Sequence, residues 1–136
     1  LCVCGLGSGI VLTGYNEDAL GMMRRQLEIA DILGAPGVRI MLGNIRRCVS
    51  DPEKAIHWEG LVRWLKAADA LAGSFDKQVW IETHNEFATG KALHGLFAQE
   101  QLPHTAAIWD LMHPLEQGEP IEETLAFYRG GSPTSM

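Results

Sequence analysis

The chain has 136 residues, with eleven Lys/Arg against seventeen Asp/Glu and a net charge of −6. Hydrophobic residues make up 46% and charged residues 21%, the balance of one soluble globular domain with a sizeable core. An acidic chain without a Lys/Arg run is a poor match for a phosphate backbone, and no apolar run reaches the roughly 18 residues that span a bilayer, so neither nucleic acid nor membrane is an expected partner. The pairs Arg24-Arg25 and Arg46-Arg47 read as solvated positions. Cys2, Cys4 and Cys48 are an odd set without paired zinc-type spacing and read as reduced thiols of a cytoplasmic protein. The chain opens on Leu1 without a charged leader or cleavage pattern, which suggests that an upstream portion exists.

The first apolar run, residues 2–12, is interrupted by Gly5, Gly7 and Gly9. Its G-x-G-x-G spacing is not the G-x-G-x-x-G of a dinucleotide loop, and Ile10-Val11-Leu12 continues the strand. Glycines inside a strand mark a bulge or a close backbone approach instead. Asn16 caps a helix running to about Leu33, striped by Leu20, Met23, Leu27 and Ala30 and stopped by Gly34. A second strand covers residues 38–42, with Arg39 and Met41 on one face. The next helix is expected to start at Asp51-Pro52 and to run to about Ala72, striped by Trp58, Leu61, Leu65 and Ala68.

The third strand, residues 78–83, places Trp80, Glu82 and His84 on one face and Val79, Ile81 and Thr83 on the other. A helix over about 90–100 buries Leu93, Leu96 and Phe97. A fourth strand, residues 106–111, carries Ile108 and Asp110 on one face, and a short helix over about 121–128 follows. Strands separated by helices make βαβ units, hence a parallel sheet with right-handed crossovers. Residues 130–136 lack apolar periodicity and are expected to be disordered.

Chemistry concentrates where the third and fourth strands end. In parallel α/β proteins, ligand groups gather at the C-terminal ends of strands, where the following loops open. Glu82 and Asp110, on adjacent strands, can aim two hard oxygens at one divalent cation. The plain alternative for Glu82 is an ion pair with Arg39 on the neighbouring strand, and for Asp110 a turn or capping role. His84 shares the face of Glu82 and is placed to touch substrate. His57, His94 and His104 read as surface residues away from the strand ends. Glu116, Glu119, Glu122 and Glu123 read as a helix N-terminal face favoured by the dipole.

The segment Trp80-Ile81-Glu82-Thr83-His84-Asn85-Glu86-Phe87-Ala88-Thr89-Gly90 and the segment Trp109-Asp110-x-x-His113-Pro114, with the looser Leu33-Gly34-Ala35 and Val38-Arg39, resemble the sugar phosphate isomerase/epimerase family of xylose isomerase-like TIM barrels. Many members carry Asp where this chain has Asn85. The resemblance implies a (β/α)₈ barrel, of which residues 1–129 would be a partial domain of about four parallel strand–helix units, the second to fifth strands of eight. It also implies a divalent metal (Mn, Mg, Co or Zn) held by a Glu, an Asp, a His and a second Glu. Glu82 matches the first ligand and Asp110 the second, while the His and the second Glu come from later strands that this chain lacks.

His113 matches the histidine of D-x-x-H that sits beside the metal and contacts substrate. The implied chemistry is proton transfer alpha to a carbonyl of a sugar or sugar phosphate through an ene-diolate, with Glu82 as base. Half of the metal site is absent, so activity of this chain alone is an open expectation. The competing readings are a non-catalytic remnant or binding module of the same fold and an endonuclease IV-like phosphodiesterase. The acidic balance and the few strand-end histidines argue against the last. Bare strand edges lead us to expect self-association or a missing barrel half.

Overall fold

The computed structural model describes residues 2–43 and 56–129. Among them four strands alternate with helices: β1 Leu6–Leu12, α1 Glu17–Leu33, β2 Gly37–Leu42, α2 Trp58–Ser74, β3 Gln78–Glu82, α3 Gly90–Gln99, β4 Thr105–Ile108, α4 Met112–Glu116 and α5 Ile121–Tyr128. All strand pairs are parallel, in the order β1-β2-β3-β4. The expected α/β architecture of parallel strand–helix units is what the chain forms.

The sheet has two unlike faces. Ile10, Leu12, Val38, Ile40, Leu42, Val79 and Ile81 point to one side and are almost wholly buried against Met23, Leu27, Leu61, Trp64, Leu65, Leu93 and Leu96 of the helices. Full burial of each such side chain stabilises by about 1.5–3 kcal/mol, so this layer is what holds the unit together. The opposite face carries Arg39, Met41, Trp80 and Glu82, all half-buried. In a closed barrel this second face lines the interior.

Local signals for α1 act as read. Asn16 Oδ1 accepts the Ala19 N–H at 2.9 Å, and Gly34 closes the helix in the left-handed region at φ 68°. Ala19 joins Met23, Leu27 and Ala30 in the buried stripe, with Leu20 half-buried beside them. The glycines of β1 prove to serve both anticipated purposes. The β1–β2 register shifts between Gly7 and Val11, and Ser8 stitches this bulge by donating to the Arg39 carbonyl at 2.6 Å while accepting from Ile10 N. Close approach occurs at Gly37, where an added Cβ would lie 2.6 Å from the Trp80 ring and 2.9 Å from the Gln78 carbonyl.

Several boundaries differ from the sequence reading. The Asp51-Pro52 start, Cys48, Arg46-Arg47 and residues 130–136 lie outside the described residues. Within the described residues α2 begins at Trp58, capped by His57. Trp58 is 39% exposed and stacks on Phe87, whereas Trp64 is fully buried and fills the core. Phe97 is only half-buried. The fourth strand ends at Ile108 rather than 111, because Asp110 accepts the Met112 N–H at 3.0 Å and turns the chain into the unanticipated α4.

Two buried carboxylates pin the second half of the chain. Asp69 on α2 accepts from His104 N at 2.8 Å and Thr105 Oγ1 at 2.7 Å, which fixes the entry to β4. Glu119 turns inward and accepts from Gly90 N, Lys91 N and Thr124 Oγ1, so it caps α3. Only Glu122 and Glu123 of the acidic run occupy the first turn of the helix that follows it. No helix among the described residues is long and apolar enough to cross a membrane.

Candidate metal centre

Strand alternation delivers the first two groups. Glu82 ends β3 on the inner face, and His84, two residues on, keeps that face because the chain stays extended (φ −157°, ψ 155°). Thr83 between them is fully buried on the other side. Its hydroxyl accepts the Asp110 N–H at 2.9 Å and lies 3.2 Å from the Asp110 carbonyl, so the end of β3 is tied to the loop after β4. Asn85 then adopts φ 51° and donates from Nδ2 to the Leu42 carbonyl at 3.2 Å, turning the chain into a single 3-10 turn, Asn85–Phe87.

The loop after β4 delivers the third group. The D-x-x-H spacing sits at the start of a helical turn, which brings residues i and i+3 together. His113 Nε2 lies 3.7 Å from Asp110 Oδ2, and His113 Nδ1 lies 3.7 Å from Glu116 Oε2. The His113 ring meets that of His84 edge-on, with centroids 4.5 Å apart and planes at 68°.

Glu82, His84 and His113 each present one ligand atom, and the three atoms lie within 4.8 Å of one another. All three residues are half-buried. One carboxylate oxygen and two imidazole nitrogens suit a divalent transition metal, and zinc sites accept the same donors. His84 Nδ1 is buried without a hydrogen-bond partner among the described residues, a cost that a ligand on that nitrogen would remove. The residues present therefore fit a metal ion.

The alternative pairing of Glu82 is present as well. Arg39 Nε lies 3.3 Å from Glu82 Oε2, with the two side chains 29% and 19% exposed. The guanidinium balances the carboxylate charge, as a half-buried anion requires. The sequence-derived residues thus divide in space. Glu82 and His113 come together with His84, which the sequence suggested only as a substrate contact, while Asp110 borders the group through His113. The Glu82-x-His84 alternation was a readable signal for the extra nitrogen.

The other histidines separate differently from their sequence reading. His57 is exposed but lies at a strand end after all: its N–H donates to the Thr13 carbonyl at 2.7 Å, and it lines a cleft of ≈340 Å³ with Leu12, Thr13 and Asn16. His94 is half-buried against Phe127. His104 is exposed, as expected. A larger concavity of ≈820 Å³ runs between α1 and α2 and includes Leu20, Arg24, Ala67 and Leu71. It lies in the helical layer, away from the strand ends, and carries no ligating group of this kind, so the chemistry rather than the volume locates the site.

No protein-family model matches the chain. No curated protein sequence matches it either. Solved structures do. A xylose isomerase domain protein from Planctomyces limnophilus superposes with a TM-score of 0.65 at 20% identity, over 85% of this chain and 40% of that one. The probable 3-DHS dehydratase AsbF of Bacillus anthracis, involved in petrobactin synthesis, superposes with a TM-score of 0.69 at 14% identity, over 96% of this chain and 48% of that one. The chain therefore has the xylose isomerase-like barrel fold and spans somewhat under half the length of each of these structures.

Proposed function

We propose that this chain carries the metal-binding and proton-accepting side of a sugar or sugar phosphate isomerase or epimerase, or of a related dehydratase with the same first step. The observation that carries this reading is the convergence of Glu82, His84 and His113 at the C-terminal end of the sheet, where one nitrogen is buried and unpartnered. Glu82, His84 and His113 would hold a divalent cation, with Asp110 at the rim, and such an ion polarises a carbonyl oxygen.

The residues themselves do the rest. Glu82 accepts the proton from the carbon alpha to the carbonyl, and its place between Arg39 and the imidazoles keeps it oriented. His113, on the short α4, donates a hydrogen bond to a sugar oxygen. The site opens beyond the strand ends on the inner face, where an open-chain polyol can reach it.

Titration calorimetry with Mn²⁺ tests the reading without any assay of turnover. One weak site is expected, lost in Glu82→Gln and in His84→Ala, with the fold retained by circular dichroism. Mn²⁺ binding unchanged in both variants would place the ligands elsewhere and sink the proposal.

The Arg39–Glu82 pair favours one second reading, a binding module in which Glu82 is a structural anion and the chain binds a polyol without turnover. Exchange of the substrate's alpha proton with solvent deuterium, followed by NMR in the presence of Mn²⁺, separates the two. Exchange lost in Glu82→Gln supports the isomerase-type reading, and stoichiometric sugar binding without exchange supports the module.

A further inference from the structure

The two ends of the sheet are unpartnered in complementary ways. In the order β1-β2-β3-β4, the outer strands β1 and β4 each have one neighbour among the described residues. All strands are parallel, so β1 of one copy laid beside β4 of another would continue the same parallel order.

The helices above these edges carry apolar flanks. On α1, Asp31 lies 3.4 Å from Lys77 Nζ, just after α2, and so marks the flank that faces α2. Met22, Ile29 and Leu33 recur at i, i+7 and i+11, a single stripe on the opposite flank, over the bare side of β1. They are 39%, 43% and 49% exposed. At the other end, Phe127 meets His94 of α3 and marks the covered flank of α5. Ile121, 40% exposed, and Leu125, half-buried, stand four residues apart on the other flank, beside the bare side of β4. Apolar stripes on helix flanks are the mark of a neighbouring helix.

We propose that two copies of this chain close head to tail into an eight-stranded barrel. The β1 edge and α1 stripe of each copy pack against the β4 edge and α5 stripe of the other. A second copy satisfies both ends at once, because a two-fold axis along the barrel generates the same contact twice and leaves no strand edge. The size agrees: one copy spans 40% and 48% of two solved barrels of this fold, so two copies supply a full set of strands. The inner faces approach without a net charge at their centre, since Arg39 and Glu82 neutralise each other on each copy. Closure also sets two Glu82/His84/His113 groups at one end of the barrel. The inference does not depend on what those groups bind.

Light scattering on the purified 136-residue chain gives the first readout. The expected mass is twice the 14.9 kDa of the chain, without growth to larger species. Ile29→Glu damages only the α1 stripe and Ile121→Lys only the α5 stripe, so each variant alone should run as a monomer. Mixed one to one, they should recover a dimer, because one of the two contacts then joins two intact stripes. A wild-type chain that stays monodisperse and monomeric, or that pairs only with a longer chain supplying other strands, overturns the proposal. So does a dimer that survives both substitutions, or open-ended association. Circular dichroism of each variant, unchanged from wild type, keeps loss of association distinct from loss of folding.

Discussion

A single residue, Glu82, holds two relations that pull against each other: an ion pair with Arg39 and a place in the group with His84 and His113. If a cation binds there, Arg39 competes for the same carboxylate. A partly exposed pair of this kind contributes about 0.2–1 kcal/mol, so Arg39→Met should tighten Mn²⁺ binding by at most about fivefold, read by calorimetry. Affinity that falls instead would mean that Arg39 orients Glu82 for the metal. Tyr128 allows a pH prediction. Its hydroxyl is buried without a hydrogen-bond partner among the described residues, and burial, followed by the negative charge of Glu119, pushes it up to about 12. Below about pH 10 the phenol keeps its proton in folded and unfolded chains alike; between about 10 and about 12 only the unfolded chain gives it up, so stability falls as pH rises. Urea unfolding at about pH 9 and about pH 11 should show that fall in the native chain and a smaller one in Tyr128→Phe. At Gly37 the constraint is space. An added methyl meets the Trp80 ring and the Gln78 carbonyl together, and Gly37→Ala should destabilise by about 1–3 kcal/mol in a urea melt.

Elements with local punctuation were the legible ones. Asn16 and Gly34 delimit α1 through bonds made within a few residues, so the chain itself announces them. The strand alternation of β3 likewise put Glu82 and His84 on one face before any fold was known. Where an element's end depends on a distant partner, the reading slipped. The fourth strand was extended to residue 111, yet its start is held by Asp69 of α2 and its end by Asp110 capping the turn into α4. Asp69 sits in an ordinary helical stripe, and nothing in its neighbourhood advertises two acceptor bonds across 35 and 36 positions. Asp69→Ala should leave the His104 N–H and the Thr105 hydroxyl short of a partner and destabilise by about 1–3 kcal/mol, measured by urea unfolding. A loss well below that range would mean water replaces the carboxylate. Glu119 taught the same lesson: an apparent member of an acidic helix face caps a different helix, α3.

At the scale of the whole molecule, one face of the sheet is finished and the other is not. Helices cover Ile10, Ile40, Ile81 and their neighbours completely, while Arg39, Trp80 and Glu82 stand half-buried on the inner face. If two copies close the barrel, folding and association are linked, and the melting temperature depends on chain concentration. Differential scanning calorimetry over a hundredfold range of concentration should show Tm rising in the native chain and staying constant in Ile29→Glu. A constant Tm in both would mean that the unit is stable without a partner.

The alternation of apolar strands with striped helices determined the parallel α/β class by itself, because periods of two and 3.6 are written residue by residue. The same periodicity, with the E-T-H and D-x-x-H spacings, named the strand ends as the place for chemistry. Tertiary structure alone decided which groups meet there. It set His84 beside His113, left Asp110 at the border, and gave Glu82 the cation Arg39 from the next strand. Those distances follow from strand register and from the bulge at Ser8, which are settled by packing between segments far apart in the chain and leave no mark in any one of them.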